Sequence, residues 1–151
     1  MQGDTVWFVI DTDTWEQEGK IAPLREFCVL QNEDIPKQYS EVKMCSAWNV
    51  AQSNPCFEIW LYYHFYENQP EDADVRKFVS FKEFVSSTIS GGFDFQRDPV
   101  RLDDAISNTR SNFVQDADRK PLLYSSEVYV LGEEIDKFVK NDLAKLRNKL
   151  G

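Results

Sequence analysis

The chain has 151 residues, of which 42% are hydrophobic and 28% are charged, a composition typical of a globular protein with a proper core. Its formal net charge is −9, and a field of that sign repels nucleic acid, which argues against a simple nucleic-acid-binding module. No apolar stretch is long enough to cross a bilayer, and the N-terminus lacks a basic region followed by an apolar one. We therefore expect a cytoplasmic protein without a membrane partner.

The cysteines favour a reduced protein. Cys28, Cys45 and Cys56 show no Cys-x-x-Cys spacing, and an odd number of cysteines without a secretion signal argues against a disulfide framework. The chain has one histidine, so a structural zinc site is also disfavoured. We expect all three cysteines to be buried and to act as small hydrophobic side chains.

The first predicted element is an apolar strand over residues 5–11 that ends in two aspartates. Side chains two positions apart on a strand point the same way, so Asp11 and Asp13 are predicted to face one site at its carboxyl end, where ligands of open α/β sheets bind. Two close carboxylates repel each other unless a cation lies between them, and hard oxygen ligands suit Mg²⁺ or Mn²⁺. An Asp-rich turn or helix cap is the alternative, because Asp and Thr favour both.

One further strand and five helices are predicted after the first strand. A polar loop over residues 32–40 precedes the second strand, which is predicted over 42–50. Asn54 and Pro55 have the chemistry of an N-cap and a first helical position, and an acidic loop is predicted later in the chain. The spacing of the apolar residues places the helices over residues 20–30, 55–66, 78–90, 98–115 and 126–150. This order predicts an α/β protein with a small sheet and a helical C-terminal half.

Glu58 lies near the start of the predicted helix over residues 55–66. A carboxylate at this position is favoured by the helix dipole, which is one sufficient reason for its presence. The functional alternative is that Glu58 faces the same sheet edge as Asp11 and Asp13 and completes a three-carboxylate site.

Three further polar residues are candidates for contacts that support such a site. Ser53 and Asn54 suit a helix cap, with phosphate contact at the helix N-terminus as the alternative. His64 is in register with the apolar residues Phe57 and Leu61, which favours a core histidine, with a general base as the alternative.

Two motifs together resemble the RloB family, bacterial proteins with a TOPRIM-like domain that are often encoded beside restriction or abortive-infection genes. The first motif is the strand that ends in Asp11-x-Asp13. The second runs Ser53-Asn54-Pro55-x-Phe57-Glu58-x-Trp60-Leu61 and is followed by His64-Phe65. The resemblance implies one TOPRIM-like, Rossmann-like domain over residues 1–151, in which Asp11 and Asp13 hold Mg²⁺ or Mn²⁺ for phosphotransfer on nucleic acid.

The chain departs from the TOPRIM pattern at one point. TOPRIM domains also use a glutamate on an earlier strand, whereas Asp4 is the only acidic residue before Asp11. Three explanations stay open: the first strand–helix unit lies outside this chain, a residue such as Glu58 substitutes for the glutamate, or the site is inactive.

The sequence therefore predicts a Mg²⁺-dependent nuclease, or a nuclease subunit, in a bacterial anti-phage defence system, with Asp11, Asp13 and Glu58 as catalytic and metal-binding residues. A non-catalytic TOPRIM-like scaffold or sensing module is the alternative, favoured by the acidic surface and the missing glutamate. A phosphohydrolase of small phosphates would use the same carboxylates. The expected partners are nucleic acid, with the basic residues of the last helix as one contact, other proteins of the defence system, and further copies of the chain.

Overall fold

A computed structural model describes residues 5–38 and 48–150, with the backbone alone for residues 35–38. Two strands and two helices come first: β1 (Val6–Asp11), α1 (Thr12–Gln17), α2 (Ile21–Gln38) and β2 (Trp48–Asn54). Helical elements then follow, together with one short strand. They are α3 (Glu58–Tyr62), α4 (Asp72–Val75), α5 (Phe81–Thr88), a 3₁₀ helix (Asp98–Arg101), α6 (Leu102–Asn112), β3 (Ser125–Ser126) and α7 (Val128–Leu150).

The described residues form a three-stranded sheet in the order β1-β2-β3. β1 and β2 are parallel, with Asp11 opposite Ser53, and α1 and α2 lie in the connection that parallel neighbours require. β3 pairs antiparallel with the last two residues of β2. This mixed α/β arrangement with a helical C-terminal half confirms the predicted fold class, while its TOPRIM-like topology stays a prediction.

The core packs around the aromatic segment that contains α3. Ile59 and Tyr63 have no solvent-exposed surface, and the Tyr63 hydroxyl donates a hydrogen bond of 2.7 Å to the carbonyl oxygen of Tyr124. α7 crosses close to this segment at Gly132, where an added Cβ would lie 3.1 Å from side-chain atoms of Trp60 and Ile106. The prediction that this aromatic stretch is mostly buried is confirmed.

Two predicted boundaries around the second strand are wrong. The loop predicted over residues 32–40 is helical as far as Gln38, because Asn32 does not break the helix but bonds both backbone groups of Trp48 at 2.9 and 3.0 Å. The strand predicted over 42–50 lies partly outside the described residues, and the described strand runs from Trp48 to Asn54. The polar residues at its end belong to the strand because tertiary partners satisfy their side chains.

The helix predicted over residues 55–66 is also wrong in its start and length. The Asn54–Pro55 peptide bond is cis, α3 begins at Glu58, and Phe57 occupies the N-cap position without a capping side chain. The short elements α1, α4 and β3 were not predicted. α5 begins at Phe81 rather than residue 78 because Ser80 caps it: the Glu83 amide donates to Ser80 Oγ at 3.1 Å, a capping-box signal that the sequence carried.

The C-terminal helix extends beyond the region where it is buried. Val128 is buried, but Ile135, Phe138 and Leu146 are exposed, Phe138 by 85%. The spacing of apolar residues predicted the helix correctly, but its buried residues, Val128 and Gly132, lie in its first turns, and its far end contacts α6 through the ion pairs of Arg147.

A hydrogen-bond network joins α2, β2 and the residue before α7. Glu127 Oε2 accepts hydrogen bonds of 2.9 Å from Arg25 Nη2 and from the backbone amide of Gln52. Gln52 Oε1 accepts a further bond of 2.8 Å from the same Arg25 nitrogen, and Gln52 Nε2 donates to Thr12 Oγ1 at 2.8 Å. These bonds fix the end of β2 between α1 and α7 because each buried polar group has its partner inside the protein.

The substitution Glu127→Ala is expected to lower the free energy of unfolding by about 1–3 kcal/mol, since it leaves the Arg25 guanidinium and the Gln52 amide without their shared acceptor. Chemical denaturation measures this change. Glu134→Ala in α7 is the matched control, because Glu134 pairs with Lys137 at an exposed position and should cost less than about 0.5 kcal/mol. Similar losses in both variants would contradict a structural role for the network.

Candidate functional site

The end of β1 is tied to the turn that follows β2. Asp11 is the last residue of β1, and its Oδ1 accepts a hydrogen bond of 2.7 Å from the backbone amide of Phe57. The backbone amide of Asp13 donates to the carbonyl oxygen of Pro55 at 3.1 Å. These two bonds bring the two sequence motifs together at the carboxyl edge of the parallel strands, where the sequence predicted a site.

Asp13 lies near this edge, but on a helix and not on the strand as predicted. α1 begins at Thr12, so Asp13 lies in the first turn of a helix and not on the strand with Asp11. Its Oδ1 accepts a hydrogen bond of 2.6 Å from the Thr14 amide and one of 3.2 Å from the Thr14 hydroxyl. The strand-alternation argument is therefore wrong for this pair, although the two carboxylates are still close enough to interact electrostatically.

Glu58 is the first residue of α3 and follows Phe57 directly. Its Oε2 is buried and has no hydrogen-bond partner within the described part of the chain, which is uncommon for a buried polar atom. Its Oε1 lies 3.9 Å from Lys82 Nζ, across from α5. Burial, together with the nearby Glu58 carboxylate, raises the pKa of the neighbouring Cys56 thiol, so Cys56 is protonated and not a nucleophile.

The three carboxylates act on one another. Burial raises the pKa of Asp11, and the negative charges of Asp13 and Glu58 raise it further; the Phe57 amide and the Lys82 ammonium oppose this shift. A carboxyl group whose charged form is disfavoured by like charges is stabilised when a cation enters. The electrostatics of this edge therefore favour a bound cation.

The donor chemistry of these residues fits a hard cation such as Mg²⁺ or Mn²⁺. All three side chains offer carboxylate oxygens, and Glu58 Oε2 is an acceptor that receives no hydrogen bond from the described residues, as a metal ligand before metal binding would be. The side chains do not, as they stand, form a complete cage: residues 5–34 and 48–150 contain no group of three or more His, Cys, Asp or Glu side chains arranged to hold a metal ion.

Ser53 and Asn54 do not cap α3. Ser53 is fully buried, and its hydroxyl lies 2.8 Å from the Ser126 hydroxyl across the β2–β3 pair. Asn54 Nδ2 donates to the carbonyl oxygen of Pro121 at 2.9 Å. Both residues therefore hold the sheet edge together, and their support of the carboxylates stays a prediction.

His64 lies in the core, consistent with the first of its two predicted roles. It is 4% exposed, its Nδ1 is 2.9 Å from the carbonyl oxygen of Trp60, and its ring packs edge-on against Trp60 and Phe93. Burial lowers its pKa. The charges that act on it belong to Asp98, Asp104 and Arg101 and not to the three carboxylates described above.

Sequence reasoning missed Thr12 and Lys82. Thr12 lies between the two aspartates, is buried, and donates from its hydroxyl to the carbonyl oxygen of Ser53 at 2.8 Å. Lys82 is a surface lysine of α5, and no local pattern distinguishes it from other lysines. Cys28 and Cys56 are buried and free as expected, and Cys45 lies outside the described residues.

The carboxylates of Asp11, Asp13 and Glu58 together form what we call the acidic edge. The fold and this edge define an α/β protein with carboxylates gathered at the ends of two parallel strands. The sequence profile of the RloB-like protein family matches residues 1–135. The chain therefore belongs to the RloB-like family, as its two motifs predicted. Comparisons with curated proteins and with solved structures gave no match. No helix of the described ranges is both long and apolar enough to cross a membrane.

His64 gives the stability of the protein a predictable pH dependence. Its pKa in the folded protein lies below the ordinary 6.5, so the unfolded chain takes up a proton first as the pH falls. We expect the free energy of unfolding to decrease as the pH falls below about 6.5 and to be independent of this group above it.

Denaturant unfolding of His64→Asn at several pH values between about 7 and 5 tests this expectation, because asparagine keeps a donor for the Trp60 carbonyl but does not titrate. The decrease should be smaller in His64→Asn and in a second neutral variant, His64→Gln. Since the chain has one histidine, an unchanged slope in both variants would contradict the assignment.

Proposed function

We propose that this protein is a Mg²⁺- or Mn²⁺-dependent nuclease, or the nuclease subunit of a larger assembly, that hydrolyses phosphodiester bonds of DNA or RNA. The observation that carries the proposal is the acidic edge, where the buried and unpartnered oxygen of Glu58 lies in a field shared with Asp11 and Asp13. Membership of the RloB-like family supports it. A TOPRIM-like domain over residues 1–151, a cytoplasmic location and protein partners in a bacterial defence system belong to the same proposal.

In this proposal Asp11, Asp13 and Glu58 are the residues that would hold the cation. A bound divalent cation would supply positive charge to the phosphate and lower the pKa of a water molecule. The chain itself provides orientation: the Phe57 amide fixes one oxygen of Asp11 and leaves the second oxygen for a ligand. Lys82, whose Nζ lies 3.9 Å from Glu58 Oε1, offsets part of the negative charge and would supply a positive charge for a substrate phosphate.

A polyanionic substrate needs local positive charge, since the whole chain carries −9. The basic residues of α7 supply less of it than the sequence indicated. Arg147 pairs with Asp103 and Asp104 at 2.6 and 2.7 Å, and Lys137 pairs with Glu134 at 2.8 Å. Lys82 and a divalent cation bound by the three carboxylates are therefore the better candidates for attracting the substrate.

The alternative function is a TOPRIM-like scaffold or sensing module without catalysis. One specific observation favours it, namely that the side chains of the described residues form no three-ligand metal cage. A scaffold would keep the fold and the Asp11–Phe57 bond while binding no cation.

Calorimetric titration with Mg²⁺ and with Mn²⁺ distinguishes the two functions. The unsubstituted chain is expected to bind at least one ion, and both Asp11→Asn and Glu58→Gln should weaken binding by at least about tenfold, since each removes one charged ligand. Asp142→Asn, in the exposed part of α7, is the control that loses the same charge elsewhere and should bind normally.

The same variants are then compared for cleavage of single- and double-stranded DNA and RNA with Mn²⁺ present and with EDTA. We expect metal-dependent cleavage that falls by at least about a hundredfold in Asp11→Asn and Glu58→Gln and persists in Asp142→Asn. Metal binding that is absent, or that is equal in all variants, would favour the scaffold.

A further inference from the structure

Three apolar side chains of α7 are exposed and lie on one side of the helix. Phe138 is 85% exposed, and Ile135 and Leu146 are exposed as well. Since α7 runs from Val128 to Leu150, Phe138 lies one residue from its midpoint, with about 17 Å of helix on either side. Apolar side chains grouped in this way on a surface helix indicate an interaction surface.

The charges of α7 are distributed unevenly along its length. Residues 128–136 contain three acidic side chains and no basic one, whereas residues 137–150 contain five basic side chains and one acidic one. The helix dipole favours this order within a single chain. The same order makes α7 complementary to a copy of itself that runs in the opposite direction, because the acidic half of each helix then faces the basic half of the other. A parallel copy would place like charges side by side.

Charged side chains flank Phe138 on the same face of α7. Glu134 lies one turn before this ring and pairs with Lys137 of its own helix at an exposed position. Lys145 and Lys149 lie two and three turns after the ring, at helical spacings that share a face. Both lysines are exposed and form no ion pair within the described ranges. The face therefore has an acidic group on one side of the aromatic ring and two unpaired basic groups on the other.

We propose that this face binds α7 of a second copy of the chain, with the two helices antiparallel and a two-fold axis beside Phe138. Glu134 lies six residues after the start of α7, and Lys145 lies five residues before its end. When the two helices overlap along their whole length, these side chains come within one residue of direct opposition. Leu131 and Leu146 are related in the same way, and the two Phe138 rings meet near the axis. Because the contact is isologous, each pair forms twice.

The dimer is expected to be reversible. The net charge of −9 opposes self-association at long range, but at 0.15 M ionic strength charges more than about 8 Å apart are largely screened, and pairs in contact are screened less. One helix pair forms a smaller interface than the roughly 1,600 Å² of a stable complex, so we expect a Kd of about 10–100 μM. The acidic edge supplies no residue to this interface, and the pairing does not depend on the proposed nuclease function.

Sedimentation velocity of the full chain in 0.15 M salt, from about 5 to about 300 μM, tests the pairing through its dependence on concentration. Phe138→Glu should weaken association at least about tenfold, since it places two charges beside the axis. Val79→Glu is the matched control: Val79, between α4 and α5, is 97% exposed, and this variant should associate like the unsubstituted chain. Far-ultraviolet circular dichroism verifies that both variants fold. A monomer at every concentration, or equal association of the two variants, would overturn the proposal.

Charge reversal tests the antiparallel direction. Glu134→Lys and Lys145→Glu should each weaken association at least about fivefold, because each places like charges opposite each other twice. The double variant Glu134→Lys/Lys145→Glu restores both pairs with their signs exchanged, and it should associate within about twofold of the unsubstituted chain. Single variants that associate normally, or a double variant no better than the single ones, would refute the antiparallel pairing.

Discussion

The parallel pairing of β1 with β2 is the constraint on which the candidate site depends. It places Asp11 opposite Ser53, so both strands end at the same edge, and the chain segments that leave them must share that space. The Phe57 amide, left free because α3 begins one residue later, then finds its acceptor in the Asp11 carboxylate at 2.7 Å. The meeting of two motifs far apart in sequence follows from strand register and one charge-assisted hydrogen bond.

The two sides of this edge differ in electrostatic character. On the α3 side, three carboxylates share a field in which the pKa of Asp11 is raised, and one Glu58 oxygen has no donor among the described residues. On the α2 side, Arg25 and Glu127 neutralise each other, and both bond to Gln52. The electrostatics of the α3 side therefore favour a cation, whereas the Arg25–Glu127 pair on the α2 side carries no net charge.

The strand ends beside the candidate site consist of buried polar residues. Gln52, Ser53 and Ser126 are polar residues with almost no exposure, and they are tolerated because each one bonds to another buried group. The hydrophobic core lies instead beyond the sheet, around Ile59 and Tyr63. Hydrogen-bonded side chains therefore support the site. They fix the orientation of its residues more strictly than apolar contacts would, because a hydrogen bond weakens when its angle changes.

The amino-acid sequence by itself determined the first strand, the α/β class, the buried aromatic segment and the family, because these depend on local apolar spacing and on contiguous motifs. The proximity of Asp11 to Glu58 and the helical placement of Asp13 were decided only by the tertiary structure, whereas the register of His64 with Phe57 and Leu61 already indicated its core position. Strand ends such as Gln52 and Ser53 looked like a loop because their partners, Glu127 and Ser126, lie more than seventy positions away. Local sequence carries no information about such partners. Polar residues that resemble a loop can lie in a buried strand when distant residues satisfy their hydrogen bonds.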